Sequence, residues 1–285
     1  MARQLPKDFL WCGSVSATQI EGGWDEGGKS PVQPDFAAPG GTSGRRKVYF
    51  RNADGTRGSM DIMERLPKGA RYEIFDDLHY PNHVAADFYH RWEEDIDLYA
   101  ELGITAFNTT ISWARIYPHG VAGGVNAEGV EFYRKVFTRL REKGIEPVIT
   151  LYKYDEPVYF EETIGGWENR QMIEEFCAFA RTCLTEYRGL VSRWITFNEI
   201  NVLLAWAKRG EEAPMARTLT ELHNQMVAAA RTVRMAHEID SANRVGCMIA
   251  GMCCYPLTPD PADVIANHTC YYLGQSLMAL SLLFA

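Results

Sequence analysis

The sequence predicts an α/β fold with a parallel sheet, assembled from repeated βα units. Three observations predict it. Short apolar runs, rich in β-branched and aromatic residues, alternate with longer stretches whose apolar residues recur at helical spacing. The second to fifth runs start about 40 to 50 residues apart, which leaves room for a helix and a right-handed crossover back to a parallel neighbour. The runs are apolar almost throughout, as in strands covered by helices on both faces. A doubly wound open sheet and a (β/α)8 barrel both satisfy this pattern. Gly22-Gly23 and Gly27-Gly28 lack the Gly-x-Gly-x-x-Gly spacing after the first run, so a dinucleotide site is not expected.

The strands are expected at 9–16, 104–113, 146–152, 193–198 and 244–250. A helix over 88–102 follows from Phe88, Trp92, Ile96, Tyr99 and Leu102, stopped by Gly103. Phe132, Val136, Phe137 and Leu140 define a second helix, ending at Gly144. Ile173, Phe176, Cys177, Ala180 and Leu184 define a third, and residues 222–239 a fourth. Each stripe is read as core packing. Residues of about 23–82 break the rhythm with a stretch rich in Gly, Pro, Arg and Asp, too long for a plain connection. It follows the first strand, so in a barrel it hangs over the catalytic face as a lid or pocket wall. Disorder is the competing expectation for 39–58. The whole, 1–285, reads as one partial barrel domain with this insertion.

With 285 residues and 46% hydrophobic content, the chain has the means for one large core. A net charge of −8 argues against a nucleic-acid partner. The 7 cysteines are odd in number and irregularly spaced, which suggests reduced, buried thiols in a cytoplasmic protein rather than a disulfide framework or a zinc site. The start, Met-Ala-Arg-Gln-Leu-Pro-Lys-Asp, is polar, and no signal peptide is expected. The apolar stretch 273–285 is too short to span a bilayer, so no membrane association is expected. His79 and His83 stand four apart but flank Pro81, and solvated turn histidines are favoured over a metal pair. No metal and no cofactor is expected.

The segment Trp194-Ile195-Thr196-Phe197-Asn198-Glu199-Ile200-Asn201 is apolar and β-prone in front and ends on an amide and a carboxylate. A buried strand ending this way puts two polar heads at the mouth of the core it crosses. In a parallel barrel, catalysis sits there. The run resembles the acid/base segment of glycoside hydrolase family 1, in the form found in its 6-phospho-β-glucosidase branch. The resemblance extends along the chain from about residue 5 to residue 270. It includes Phe9-Leu10-Trp11-Cys12-Gly13-Ser14 with Gln19-Ile20-Glu21-Gly22, and Tyr89-His90-Arg91-Trp92-Glu93-Glu94-Asp95-Ile96. It continues through Ile111-Ser112-Trp113-Ala114-Arg115-Ile116, Gly144-Ile145-Glu146-Pro147 and Gly165-Gly166-Trp167-Glu168-Asn169-Arg170. Gly246-Cys247-Met248-Ile249-Ala250 with Tyr255-Pro256-Leu257-Thr258 is similar to the phospho-sugar branch. The resemblance implies a (β/α)8 TIM barrel, here incomplete at about five βα units. The tail after His268 no longer resembles the family, and the chain reads as truncated after the fifth strand.

Retaining hydrolysis of a β-glucoside uses two carboxyl groups about 5 Å apart across the scissile bond. By resemblance Glu199 is the proton donor, and partial desolvation at a barrel mouth suits an acid to that task. The plain alternative for Glu199 is a strand-end carboxylate in an ion pair. Asn198 would bond the sugar 2-OH and Gln19 the far hydroxyls. Asn108 stands where the family keeps an Arg that holds the nucleophile, and Asn does not replace a bidentate positive fork. Lys153 stands where the family keeps a His for the 3-OH, with Tyr154 as the adjacent aromatic; the alternative for Lys153 is a surface pair with Asp155 or Glu156. No Glu-Asn-Gly occurs, so the nucleophile is absent from the chain. Glu21, Asp35 and Asp155 are the carboxylates that could share the face. Without a nucleophile, covalent catalysis is not available and a large loss of rate is expected.

Three functions follow. The first is a β-glucosidase or 6-phospho-β-glucosidase, impaired, with a small β-glucoside or phospho-β-glucoside as partner. The second is a catalytically inactive sugar-binding pseudoenzyme. The third is a half-barrel that assembles with a partner chain, because five strands cannot close the barrel and exposed edges favour self-association. The apolar tail 271–285 is a candidate to cover part of that surface.

Overall fold

The computed structural model describes residues 5–6, 8–39, 44–62, 64–203, 214–251 and 255–271. Its centre is a parallel sheet of β1 (Cys12–Ser14), β6 (Ala106–Thr110), β7 (Glu146–Tyr152), β8 (Arg193–Phe197) and β9 (Arg244–Gly246). The spatial order follows the chain order without reversal. That is the progression of a barrel; a doubly wound sheet reverses at a switch point. One register line runs Ser14, Asn108, Val148, Arg193, Arg244 across all five strands. Among the described residues β1 and β9 each pair on one side only, so the sheet is open. Of the tail 271–285, expected as a cover, residues 272–285 lie outside the described residues.

Helices follow the strands: α1 (Ala17–Ile20), α2 (Phe88–Glu101), α3 (Trp113–Ile116), α4 (Gly120–Gly123), α5 (Ala127–Glu142), α6 (Val158–Ile164), α7 (Gln171–Glu186), α8 (Pro214–Ile239) and α9 (Pro261–Tyr271). In α5, the N-cap Asn126 accepts from the Glu128 N–H at 3.2 Å, which satisfies one orphan donor of the first turn. Its stripe of Phe132, Tyr133, Val136, Phe137 and Leu140 is buried. In α7, Ile173, Phe176, Phe179, Ala180, Cys183 and Leu184 are buried against the same core. Each large side chain so buried contributes about 1.5–3 kcal/mol relative to exposure. Trp113 is fully buried and stacks on Phe179 at 5.3 Å between ring centres.

Against the disorder weighed for 39–58, the described residues 44–58 of the insertion form strands and a turn. The insertion holds an antiparallel sheet of β2 (Ala37–Ala38), β3 (Lys47–Arg51), β4 (Arg57–Asp61) and β5 (Arg71–Tyr72). β3 and β4 form a hairpin, while β2 and β5 pair with β3 near its two ends. Alternating burial along β3 places Val48 and Phe50 in a second apolar cluster with Phe36, Met60 and Tyr72. The turn is local chemistry: Asp54 Oδ1 accepts from the Thr56 N–H at 2.9 Å, and Gly55 takes φ +84°.

The base of the insertion is held by Arg115, which is fully buried. Its Nε donates to Glu21 Oε2 at 3.3 Å, and Nη1 donates to the Glu26 carbonyl at 3.0 Å. Its guanidinium lies 4.1 Å from the Tyr89 ring centre, and Tyr133 donates its phenol proton to Glu21. His83 is a correction. It is half-buried rather than solvated, stacked between Trp24 (4.1 Å) and Tyr80 (5.1 Å), with Nε2 donating to the Asp35 carbonyl at 2.8 Å. Burial lowers the affinity of that ring for a proton. His79 is exposed, and no metal-holding cluster occurs among the described residues.

Candidate active site

The residues singled out by sequence lie at the carboxyl end of the parallel strands, with one exception. Asn198 and Glu199 follow β8; Lys153 and Tyr154 follow β7; Gln19 sits in α1, just past β1. Asn108 is the exception, at mid-strand in β6.

Main-chain bonds carry the two neighbouring strand ends into register. The Asn198 N–H donates to the Tyr152 carbonyl at 2.9 Å, continuing the β7–β8 ladder one step past Phe197. At Glu199 the chain turns with φ +48°, and Val202 N–H closes the turn onto the Glu199 carbonyl at 2.8 Å. A non-glycine residue in this left-handed region is uncommon and costs free energy unless the surroundings hold it. Two contacts hold it. From one side, the Tyr154 hydroxyl donates to the Glu199 carbonyl at 3.1 Å. From the other, Asn201 Nδ2 donates to the Ala250 carbonyl while its Oδ1 accepts from the Ala250 N–H, both at 2.9 Å. The Glu199 side chain is half-buried, and Asn198 is buried.

Tyr154 is itself left-handed at φ +55°. Burial, with the charge of Glu199 next in weight, raises its phenol well above the ordinary range, so it remains a donor. Lys153 is half-buried. Contrary to its surface-pair alternative, its ammonium meets no carboxylate within ion-pair distance among the described residues. Only its main-chain N–H reaches Asp155, donating to Oδ1 at 3.1 Å.

Asn108 has both ends of its amide engaged. Oδ1 accepts from Ser14 Oγ at 3.0 Å, and Nδ2 donates to the Val148 carbonyl at 3.0 Å. It laces β1, β6 and β7 together. Gln19 is exposed, and α1 is anchored by the Ala17 N–H donating to Thr110 Oγ1 at 2.8 Å.

The three other carboxylates do not stand ready as nucleophiles. Glu21 is bound by Arg115 and Tyr133. Asp35 pairs with Lys29 at 2.7 Å, both side chains nearly buried. Asp155 is 1% exposed, and its Oδ2 has no partner among the described residues. Burial pushes its carboxyl up to about 7; the charges of Glu156 and Glu21 add to this, while the Lys153 N–H and Lys29 oppose it. Beside Tyr154 opens a cleft of about 130 Å³, walled by Arg65 of the insertion, Glu156, Trp167 and Gln225.

Sequence reasoning missed Asn201 as a structural clamp and Tyr154 as a donor to Glu199. Asn201 was visible only as the last letter of its motif. The partners of both are distant in sequence, and no local signal announces them. The expectation of buried thiols holds among the described residues for Cys183; Cys177 and Cys247 are half-buried and Cys12 is exposed.

An unreversed run of helix-covered parallel strands is part of a (β/α)8 barrel, and Asn198 and Glu199 close one of its strands at the carboxyl end. The chain belongs to glycosyl hydrolase family 1, whose family model matches residues 1–277. The match continues past residue 270, where the resemblance in motifs was expected to stop. Relatives include the 6-phospho-beta-glucosidase AscB of Escherichia coli (strain K12), 37% identical over 270 residues that cover 92% of this chain and 53% of that protein. The aryl-phospho-beta-D-glucosidase BglA of Bacillus subtilis (strain 168) is 36% identical, with 92% and 52% covered. Among solved structures, the GH1 beta-glucosidase from Exiguobacterium antarcticum B7 superposes with a TM-score of 0.75 at 30% identity, covering 95% of this chain and 55% of that one. The family 1 b-glucosidase from Thermotoga maritima gives 0.74 at 26% identity, with 96% and 56% covered. The chain thus spans about half the length of the curated relatives it matches. No helix among the described residues is long and apolar enough to cross a membrane.

Proposed function

We propose that this chain carries the proton-donor half of a retaining β-glycosidase site, with Glu199 as the general acid and a 6-phospho-β-glucoside as the substrate class. The observation that carries the proposal is Glu199 itself: a half-buried carboxylate at the carboxyl end of a barrel strand, in a left-handed turn clamped from both sides. Strained backbone of this kind concentrates at functional sites. Asn198 is assigned to the sugar 2-OH, Gln19 to hydroxyls at the far end, and Lys153 and Tyr154 to the pocket wall. Asn108 is assigned a tie between strands, supported by its bonds to Ser14 and Val148. The substrate class is supported by the names of the relatives above and by the Asn-Glu-Ile-Asn form of the motif. A cytoplasmic location belongs to the same proposal, supported by unpaired Cys12, Cys177, Cys183 and Cys247.

In such a site Glu199 gives its proton to the leaving oxygen while a second carboxylate, about 5 Å across the bond, attacks the sugar carbon. Glu21 is held by Arg115 and Tyr133, Asp35 by Lys29, and Asp155 is buried, so this chain by itself is expected to bind sugar and turn it over slowly. The test is release of nitrophenol from 4-nitrophenyl β-glucoside 6-phosphate and from the unphosphorylated glucoside, with Glu199→Gln alongside. Slow release that favours the phosphorylated substrate and disappears in the variant supports the assignment. Release that Glu199→Gln leaves unchanged, or neither turnover nor calorimetric binding of glucose 6-phosphate, overturns it.

A further inference from the structure

We infer that Tyr154 is a positioning residue for Glu199, fixing the turn that aims the carboxylate through a single bond from its phenol to the Glu199 main-chain carbonyl. The functional meaning rests on the acid role proposed above; the coupling between the two residues does not.

The geometry has four parts. First, the bond is 3.1 Å long and joins the ends of two adjacent strands, 45 residues apart in sequence. Second, both residues occupy left-handed backbone, at φ +55° and +48°. Each such residue costs on the order of 1–3 kcal/mol and persists only where its surroundings over-determine it. The phenol bond is one of those determinants for Glu199, and the Asp155 carboxylate, accepting from the Lys153 N–H, fixes the turn that presents Tyr154. Third, the ring is packed from below by Tyr152 in an edge-to-face contact at 5.8 Å, so the hydroxyl has little freedom to swing away. Fourth, the clamp is completed from β9 by the paired bonds of Asn201 to Ala250. The titratable groups facing the phenol are Glu199, Glu156 and the Cys247 thiol. All three disfavour the phenolate, so the donor persists across the range in which a carboxylic acid works.

A phenylalanine here keeps the ring and removes only the donor. The test is carbon-13 NMR of the full chain labelled at glutamate side-chain carboxyls, with the Glu199 line assigned by its loss in Glu199→Gln. In Tyr154→Phe, the Glu199 line should move from its wild-type position. Tyr152→Phe is the control: it deletes a phenol that donates to Glu156 Oε2 at 2.8 Å and leaves Glu199 untouched. There the Glu199 line should stay in place. Should a variant fail to fold, wild-type chain carrying 3-fluorotyrosine serves instead. The fluorine line of residue 154 should shift between the wild-type sequence and Glu199→Gln. An unmoved Glu199 line in Tyr154→Phe, an equal movement in Tyr152→Phe, or a fluorine line that Glu199→Gln leaves unmoved overturns the inference. None of these readouts needs turnover. A Glu199 line that moves as expected, alongside nitrophenol release indifferent to Glu199→Gln, would sink the proposed function and leave the positioning intact.

Discussion

The hydroxyl of Tyr154 meets the main-chain carbonyl of Glu199 at 3.1 Å, and it does so from the end of β7 to the turn beyond β8. Glu199 is thereby fixed through its backbone, and the bond leaves both of its carboxyl oxygens for the acid role proposed above. The same economy recurs on the other flank, where Asn201 grips the backbone of Ala250.

That second grip is expected to matter for stability as much as for the site. Asn201→Ala removes a donor and an acceptor together and leaves the Ala250 N–H and carbonyl, both in a half-buried residue, without their partners. The expected loss is about 1–3 kcal/mol. Asn201→Asp keeps the acceptor only and should fall between wild type and Asn201→Ala. Urea unfolding of the three chains checks the order. An alanine variant as stable as wild type would mean that water replaces the clamp at no cost.

Asp155 sets a pH dependence whose sign is fixed by burial. Its folded value of about 7 lies above the ordinary carboxylate range, so between about pH 4 and pH 7 the folded chain holds a proton that the unfolded chain has released. Stability therefore falls as pH rises through that window and levels off above it. The contribution is on the order of 4 kcal/mol. Asp155→Asn keeps an oxygen for the Lys153 N–H and carries no charge. It should be more stable than wild type at pH 8 and close to it at pH 5. Glu156, also raised by burial, keeps part of the slope in both chains, so the comparison is of the difference. Equal unfolding midpoints for the two chains at both pH values would contradict it.

These residues show what was legible in the sequence and what was not. The five parallel strands were readable because each is a short apolar run between helical stripes, and the helices because their stripes repeat every three or four residues. Strand ends are shorter than the apolar runs: 104–113 shrinks to Ala106–Thr110 because the chain leaves the strand at Ile111 and enters α3 at Trp113, and 9–16 shrinks to Cys12–Ser14. The hairpin at β3 and β4 was missed although its signal was present: alternation in Lys47–Arg51 followed by an Asp54-Gly55 turn. Composition rich in Gly, Arg and Asp masked it. Glu199, Asn198, Lys153 and Tyr154 could be placed because a strand end locates whatever follows it. The contacts that hold them could not, since Tyr154 to Glu199, Asn201 to Ala250 and Arg115 to Glu21 all join residues at least 45 apart in sequence.

The Arg115–Glu21 pair is expected to be costly to break and cheap to replace. Both side chains are at most 4% exposed. Arg115→Met leaves a buried carboxylate whose remaining partner is Tyr133, and a loss of about 3–5 kcal/mol is expected. The double variant Arg115→Met, Glu21→Leu removes both charges and should recover part of that loss. Thermal unfolding of the two single variants and the double one closes the cycle. A double variant no more stable than the worse single would show that the main-chain bonds of Arg115 to Glu26, Gly22 and Gly23 outweigh the pair.

Gly22 stands at the hinge between β1's helix and the insertion, and its side-chain-free backbone is required twice over. Its φ is +67°, and a Cβ there would lie 2.2 Å from the Val84 carbonyl oxygen. The neighbour is backbone, so no side chain can rotate away. Left-handed conformation alone costs an L-residue about 1–2 kcal/mol, and the contact adds to it. Gly22→Ala should therefore lower the unfolding midpoint by more than an alanine placed at Gly165, which is also left-handed at φ +81° but has open space around the added carbon. The difference between the two variants isolates the contact with Val84 from the backbone strain they share. Hydrogen exchange should localise the Gly22→Ala effect to the turn at Val84 and the start of α2, because Tyr89 N–H bonds the neighbouring Glu21 carbonyl at 2.9 Å. Equal midpoints for the two alanines, with exchange unchanged at Tyr89, would show that the chain shifts there without penalty.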